Sequence, residues 1–200
     1  MLQILNQLAV SFDLPILEWI QANLKCGFLD TVMPIITLFG DGGVFWIICA
    51  VLLMIFPKTR RIGLGMGIAM ALGLLVCNVT LKPLVARPRP YDFQQSEFNK
   101  VVVLLSENLR MHDFSFPSGH TIASFEASTV LLKHDKRLGI PAVILAILIA
   151  MSRLYLYVHY PTDVIFSVFA GILFALIGDA LAGKLAAKLP GTRRGKFEAV

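Results

Sequence analysis

Long apolar runs, separated by short polar, glycine-rich or proline-bearing breaks, set the pattern of this chain. The runs fall at about residues 27–39, 43–57, 62–82, 119–133, 138–158 and 162–184. A membrane-crossing helix needs roughly 20 residues, so the third, fifth and sixth runs are long enough to span, while the first, second and fourth are short. The breaks are Gly40-Asp41-Gly42-Gly43, Pro57, Pro83, which is expected to stop the third helix, and Pro161, which suits the first turn of the last one. Ahead of the runs, Asp13 followed by Leu14-Pro15 reads as a helix start. Leu14, Leu17, Ile20 and Leu24 then recur at helical spacing with Glu18 and Gln21 between them. That partly amphipathic stretch suits a helix lying at a membrane surface or a segment packed on the bundle, and both placements stay open. The predicted fold is all-α: an integral membrane bundle of about six transmembrane helices over 27–184, an N-terminal interfacial segment over 1–26 and a basic tail over 185–200. No internal repeat or low-complexity tract interrupts it.

Composition strengthens this picture. Of 200 residues, 56% are hydrophobic and 16% charged, and mean hydropathy is +0.74. A soluble domain carries about 25% charged residues. The formal net charge of +5 matters less than its placement. Lys58, Arg60 and Arg61 follow the second run; Lys133, Lys136 and Arg137 follow the fourth; Lys184, Lys188, Arg193, Arg194 and Lys196 follow the sixth. With six spans these groups share one side with both termini, which the positive-inside rule makes cytoplasmic. No basic–aromatic interleaving points to nucleic acid as a partner. Cys26, Cys49 and Cys77 form no Cys-x-x-Cys pair and offer no zinc or redox motif. No Lys or Arg precedes Lys25, so a secretory signal with a basic start is not expected.

Three stretches carry charge against this apolar background, where charge is costly. The first runs from Lys82 to Arg89-Pro90, the second is Pro117-Ser118-Gly119-His120, and the third holds Ser152-Arg153, His159 and Asp163. All lie toward the side opposite the basic groups. Ser118 is a good helix N-cap, and Gly119 lets a ligand approach the backbone, so this helix start can bind an anion. Lys82, Arg89 and Arg153 supply a point charge and two planar forks suited to phosphate oxygens. Taken singly, Lys82 reads as an interfacial anchor and Arg153 as half of a salt bridge. His159 and Asp163, four apart, suit a histidine whose tautomer a carboxylate fixes. Two histidines can divide phosphoryl transfer, one attacking phosphorus and the other serving the leaving oxygen and then water. Asp163 alone is too little carboxylate for a magnesium or calcium cage, so no metal or other cofactor is expected.

Together the motifs resemble the signature of the type 2 phosphatidic acid phosphatase family, a group that also takes in bacterial acid phosphatases and vanadium haloperoxidases. The matching pattern is Lys-x6-Arg-Pro, Pro-Ser-Gly-His and Ser-Arg-x5-His-x3-Asp at the positions above. The resemblance implies His159 as nucleophile, Asp163 as its orienting partner and His120 as general acid and base. It also implies phosphate binding by Lys82, Arg89, Ser118, Gly119 and Arg153, and a metal-independent reaction at the extracytoplasmic face of a membrane, here read as a bacterial cytoplasmic membrane. Arg87 is extra to the pattern. His112 and Asp113, near the second motif, read first as solvated loop residues and second as candidates for the site entrance. Expected substrates are lipid phosphates: undecaprenyl pyrophosphate, phosphatidylglycerophosphate, phosphatidic acid or a lipid A type glycolipid. A soluble phosphate ester, vanadate-dependent haloperoxidation and non-enzymatic lipid transport are the competing functions. Oligomeric state is not legible.

Overall fold

The structure, a computed structural model, describes residues 2–102, 104–105 and 110–186, and among them every regular element is helical. The elements are α1 (Leu2–Leu8), a π-helical turn (Ala9–Asp13), α2 (Leu14–Asn23), α3 (Gly27–Leu38), a 3-10 turn (Asp41–Gly43) and α4 (Val44–Ile55). Then come α5 (Arg60–Gly73), a second π-helical stretch (Leu74–Leu81), α6 (Lys82–Val85), α7 (Pro90–Phe98), α8 (Gly119–His134), α9 (Lys136–Tyr155) and α10 (Pro161–Ala186). Helices suit so apolar a chain, because each satisfies its own backbone where water is absent. Four stretches are long and apolar enough to cross a membrane: Gly27–Ile55, Arg60–Phe98, Lys136–Tyr155 and Pro161–Leu185. α8, 16 residues long, runs among them against α5, α9 and α10.

The bundle is all-α as expected, but its passes are not the six expected. α3 and α4 form one broken pass antiparallel to α9. At one end Tyr155 donates to Asp30 (2.6 Å) and Arg153 to Thr37 (2.5 Å). Midway Trp46 Nε1 donates to Ser124 Oγ of the neighbouring α8 (3.0 Å). Toward the other end Phe45, Cys49 and Leu53 share a groove with Leu145, Ala142 and Leu138. The break falls at Gly42 and Gly43, with φ of 54° and 67°, a region that glycine enters without steric cost. Glycine punctuation marks a kink as readily as a reversal, which is why 27–39 and 43–57 read as separate spans.

The described chain therefore crosses the bundle through α3–α4, α5–α6, α8, α9 and α10, an odd number of passes. The N-terminal helices consequently lie at the end opposite the close of α10. Gln21 Nε2 donates to Tyr155 O (2.7 Å), and Lys100 pairs with Glu18 (2.6 Å). Ala9, Leu14, Leu17 and Ile20 are buried, whereas Ile4, Val10, Phe12 and Trp19 are exposed. The segment is thus both packed on the bundle and apolar on its outer face. The expectation that the N-terminus shares an end with the basic groups is corrected by this odd pass count. Those groups do gather: Asp179 pairs with Lys133 (2.7 Å), His134 (2.6 Å) and Arg61 (3.6 Å), joining α5, α8 and α10. The predicted tail from residue 187 onward lies outside the described residues.

Two local expectations also change. Asp13 does not start a helix; it lies within a helical run from Leu2 to Asn23, makes no cap bond to α2 and is fully buried. Pro83 does not stop one either, for the helix ends at Ala86, in the left-handed region (φ 49°). Proline offers no N–H to the preceding turn, and the wider winding of Leu74–Leu81 precedes it, with the Thr80 hydroxyl donating to Leu75 O (2.8 Å).

α5 and α10 meet through small residues, which let membrane helices approach closely. A Cβ at Gly178 would stand 2.7 Å from Ala69 N and 2.8 Å from Gly65 O. Gly178→Leu is therefore expected to lower the thermal unfolding temperature in detergent, by a cost of about 1–3 kcal/mol or more. Gly67→Ala, whose added Cβ meets nothing within 4 Å, leaves it unchanged.

Candidate active site

Four helix starts and one helix end converge at the end away from Asp179. Lys82 opens α6, Arg89 directly precedes α7, His120 stands in the first turn of α8, Arg153 in the last turn of α9, and Asp163 in the first turn of α10. His159 occupies the loop between α9 and α10. Lys82, Arg89, Gly119, His120 and His159 line one cavity of about 600 Å³, while Ser118, Arg153 and Asp163 are buried around it. Every residue singled out in the three motifs comes to this one end.

His159 is 1% exposed, and its Nε2 lies 3.2 Å from Arg89 Nη1. Arginine can only donate, so this contact is a hydrogen bond when Nε2 accepts and the ring proton sits on Nδ1. Nδ1 faces Asp163 Oδ2 at 3.6 Å, with no hydrogen-bond partner in range. The expected His–Asp pair is thus present as proximity, and such contacts commonly tighten once substrate is bound. Burial, then the charges of Arg89, Arg153 and Lys82, push the His159 imidazole well below the usual histidine range, against an opposing pull from Asp113.

Asp163 is itself fully enclosed. Its Oδ2 accepts from Ser115 Oγ (2.5 Å) and the Tyr160 N–H (3.1 Å), and its Oδ1 from Arg87 Nη1 (2.5 Å). Arg87, extra to the sequence pattern, is as buried as Asp163 and lies 3.7 Å over the Tyr160 ring. The two arginines of Arg87-Pro88-Arg89-Pro90 therefore divide their work. Arg87 turns to the carboxylate, and Arg89 turns to the histidine and cavity.

The cations of the cavity are held by backbone and by one carboxylate. Arg89 donates to Val158 O (2.6 Å), Asp113 O (3.0 Å) and Phe114 O (3.3 Å), and pairs with the Asp113 side chain. Lys82 Nζ reaches the other Asp113 oxygen at 2.5 Å. Burial would raise the Asp113 carboxyl, but hydrogen bonds from Lys82 and the charge of Arg89 hold it down at about 2. Asp113 thus bridges two cations that a phosphate would also seek; His112 is exposed and does not line the cavity. Arg153 spends Nη1 on Thr37 Oγ1 (2.5 Å), while its buried Nε and Nη2 have no partner in range. Two unspent N–H groups on one guanidinium are what a bidentate anion needs.

The break in the first pass serves the same cavity. Gly40 lies against His120, where a Cβ would stand 2.8 Å from the ring, and Asp41 Oδ1 is 3.3 Å from His120 Nε2. Ser118 occupies the N-cap position of α8, yet its hydroxyl meets Thr121 Oγ1 (3.0 Å), and its N–H goes to Ser167 Oγ (2.9 Å). The amides of Gly119 and His120 come from the first turn, whose N–H groups have no intrahelical acceptor. Below the charges the cavity turns apolar, passing Ile47, Val51, Met54, Met70 and Leu74 between α4 and α5. Among the described residues, no group of three or more His, Cys, Asp or Glu is placed to hold a metal ion. Asp113, named in the sequence only as a possible entrance residue, does line the cavity. Reading the sequence missed the contacts of Arg87, Asp41 and Asp13; of these, only the doubled Arg-Pro step carried a local signal.

A family model described as the PAP2 superfamily matches residues 62–184. The chain is 33% identical over 157 residues to a protein of Sulfolobus acidocaldarius named undecaprenyl-diphosphatase, covering 78% of this chain and 71% of that one. It is 30% identical over 159 residues to undecaprenyl-diphosphatase BcrC of Bacillus subtilis, covering 76% and 77%. The crystal structure of Aquifex aeolicus LpxE superposes with a TM-score of 0.71 at 27% identity, covering 84% of this chain and 94% of that one. That of a PAP2 type phosphatidylglycerolphosphate phosphatase from Bacillus subtilis gives 0.63 at 26% identity, covering 86% and 82%.

Asp113→Asn removes the negative charge that Lys82 and Arg89 share. It is expected to lower the inhibition constant of inorganic phosphate several-fold, measured at neutral pH, where the Asp113 carboxyl is ionised. An unchanged or higher constant would show that the bridge does not compete.

Proposed function

The chain belongs to the PAP2 superfamily, and on that premise we propose how it acts on its lipid and which lipid it takes. It is an integral membrane lipid phosphatase, a hydrolase of phosphate esters or anhydrides. The observation that carries the finer reading is the single cavity that joins His159, His120, Lys82 and Arg89 above to an apolar channel below.

In this reading His159 Nε2 attacks phosphorus, with its Nδ1 proton turned toward Asp163. The bond from phosphorus to the lipid-side oxygen breaks, and His120 delivers a proton to that oxygen. His120 then takes a proton from water, the water oxygen attacks phosphorus, and the P–N bond breaks to release inorganic phosphate. Lys82, Arg89, Arg153 and the amides at the start of α8 hold the phosphate oxygens, whose charge spreads in the transition state. The chemistry draws on these groups alone and calls for no metal.

The substrate we infer is a polyprenyl diphosphate. Similarity to two undecaprenyl-diphosphatases supports it, as does a channel whose lower part offers mostly apolar side chains to a tail. A lipid monophosphate is the second reading, favoured by the structural likeness to the phosphatidylglycerolphosphate phosphatase of Bacillus subtilis. The gathering of Arg61, Lys133 and His134 at the opposite end supports a cytoplasmic basic end and an extracytoplasmic site.

Phosphate release by detergent-solubilised protein, with EDTA present, tests this against undecaprenyl pyrophosphate, phosphatidylglycerophosphate, phosphatidic acid and a soluble ester. Fastest release from the diphosphate is expected; preference for a monophosphate lipid selects the second reading, and strong EDTA inhibition overturns the metal-free route. His159→Ala is expected to abolish turnover. Arg153→Ala is expected to lower kcat about 10²- to 10³-fold with the fold intact, since two preorganised donors are lost. The pH–rate profile is expected to be bell-shaped. His159 acts unprotonated and is held below the ordinary histidine value of about 6.5, so the acid limb lies below that pH. An acid limb above it would contradict the neutral, buried nucleophile.

A further inference from the structure

Asp13 lies in the N-terminal helical run, outside all three motifs, yet it is fully buried beside the carboxylate that faces His159. Its Oδ2 accepts from Arg87 Nη2 (2.7 Å) and the Thr162 hydroxyl (2.8 Å), and its Oδ1 accepts the Thr162 N–H (2.9 Å). Arg87 in turn donates through Nη1 to Asp163 (2.5 Å) and Thr162 Oγ1 (2.8 Å), and through Nη2 to Leu5 O (3.0 Å). Asp13 therefore caps the first turn of α10, which bears Asp163, and shares one guanidinium with it.

The charge count gives this arrangement a consequence. Asp163 and Arg87 alone form a neutral pair, with nothing left over for the positive charge His159 gains on attacking phosphorus. Asp13 restores a net charge of minus one to the cluster. We propose that Asp13 is a positioning residue for the reaction: by sharing Arg87, it leaves the Asp163 carboxylate free to face His159. The N-terminal helix is then part of the reactive machinery, with its outer apolar side chains Ile4, Val10, Phe12 and Trp19 turned away from the bundle.

This rests on the reading of His159 as nucleophile, so the experiment separates the two. Wild type and His159→Ala, assayed on a water-soluble ester, establish that reading; an active His159→Ala would end it whatever Asp13 does. Asp13→Asn keeps the shape and removes the charge. It is expected to lower kcat about tenfold with KM little changed, and to move the acid limb to lower pH, because loss of a nearby negative charge weakens proton binding at His159. The other groups facing His159 remain in place: Lys82 on α6, Arg89 before α7, Asp113 in the following loop, His120 on α8, Arg153 on α9 and Asp163 on α10. Glu18→Gln is the control, since Glu18 docks the same N-terminal run through Lys100 (2.6 Å) without touching Arg87. It is expected to leave kcat and the pH profile unchanged. Wild-type kcat and profile in Asp13→Asn overturn the proposal. So does a parallel fall in Asp13→Asn and Glu18→Gln with the acid limb unmoved, which would make the role one of docking alone. If Asp13→Asn does not accumulate folded, Asp13→Glu decides. Charge kept on a longer arm is expected to lower kcat with the acid limb in place, and wild-type kcat there overturns the proposal.

Discussion

A guanidinium buried at the end of an apolar bundle is tolerable only if carboxylates meet it, and Arg87 is met by two, Asp13 and Asp163, at 2.7 and 2.5 Å. Much of the site's geometry follows from that requirement. The cluster ties the N-terminal helices to the segment leading into α7 and to the first turn of α10. It also fixes where Asp163 can stand, and with it the loop that carries His159. Removing Arg87 would leave two buried carboxylates without a counter-charge, a loss far larger than an exposed ion pair could cause.

The cavity side has the opposite problem. Lys82, Arg89 and Arg153 are cations brought close together in an apolar surround, which is unfavourable unless something negative joins them. Asp113 supplies that charge for two of them, and the Thr37 hydroxyl satisfies part of the third. A phosphate or diphosphate group is the natural complement of what remains. The same excess of positive charge, added to burial, keeps His159 neutral, as an attacking nitrogen has to be. In the proposed mechanism, anion binding and nucleophile activation are thus two results of one charge distribution.

Much of this could be read in the sequence, and for a definite reason. Lys82, Arg89, His120, Arg153, His159 and Asp163 are costly where they stand, so each calls for an explanation locally, and their spacing ties them to helix ends. The helical, membrane-embedded character followed from composition and run length in the same way. What was hidden depended on contacts remote in sequence. Asp13 looks like any helix cap, and its partner Arg87 lies 74 residues away. Asp113 sits in a polar loop where a carboxylate is ordinary. Gly40-Asp41-Gly42-Gly43 reads as a loop between spans because a kink and a reversal use the same residues. Only the packing of α3 on α9 and the Trp46 contact to α8 show that the chain continues in one direction, and that single pass decides which end the N-terminus occupies.

The proposed mechanism has His159 carry the phosphoryl group. It is tested most directly by quenching the turning-over enzyme in alkali, with substrate radiolabelled at its terminal phosphate, and mapping the labelled peptide. An alkali-stable, acid-labile phosphoryl group is expected on the peptide that contains His159, and none in the His159→Ala variant. Steady turnover with no such adduct, or with the label on His120 instead, would contradict it.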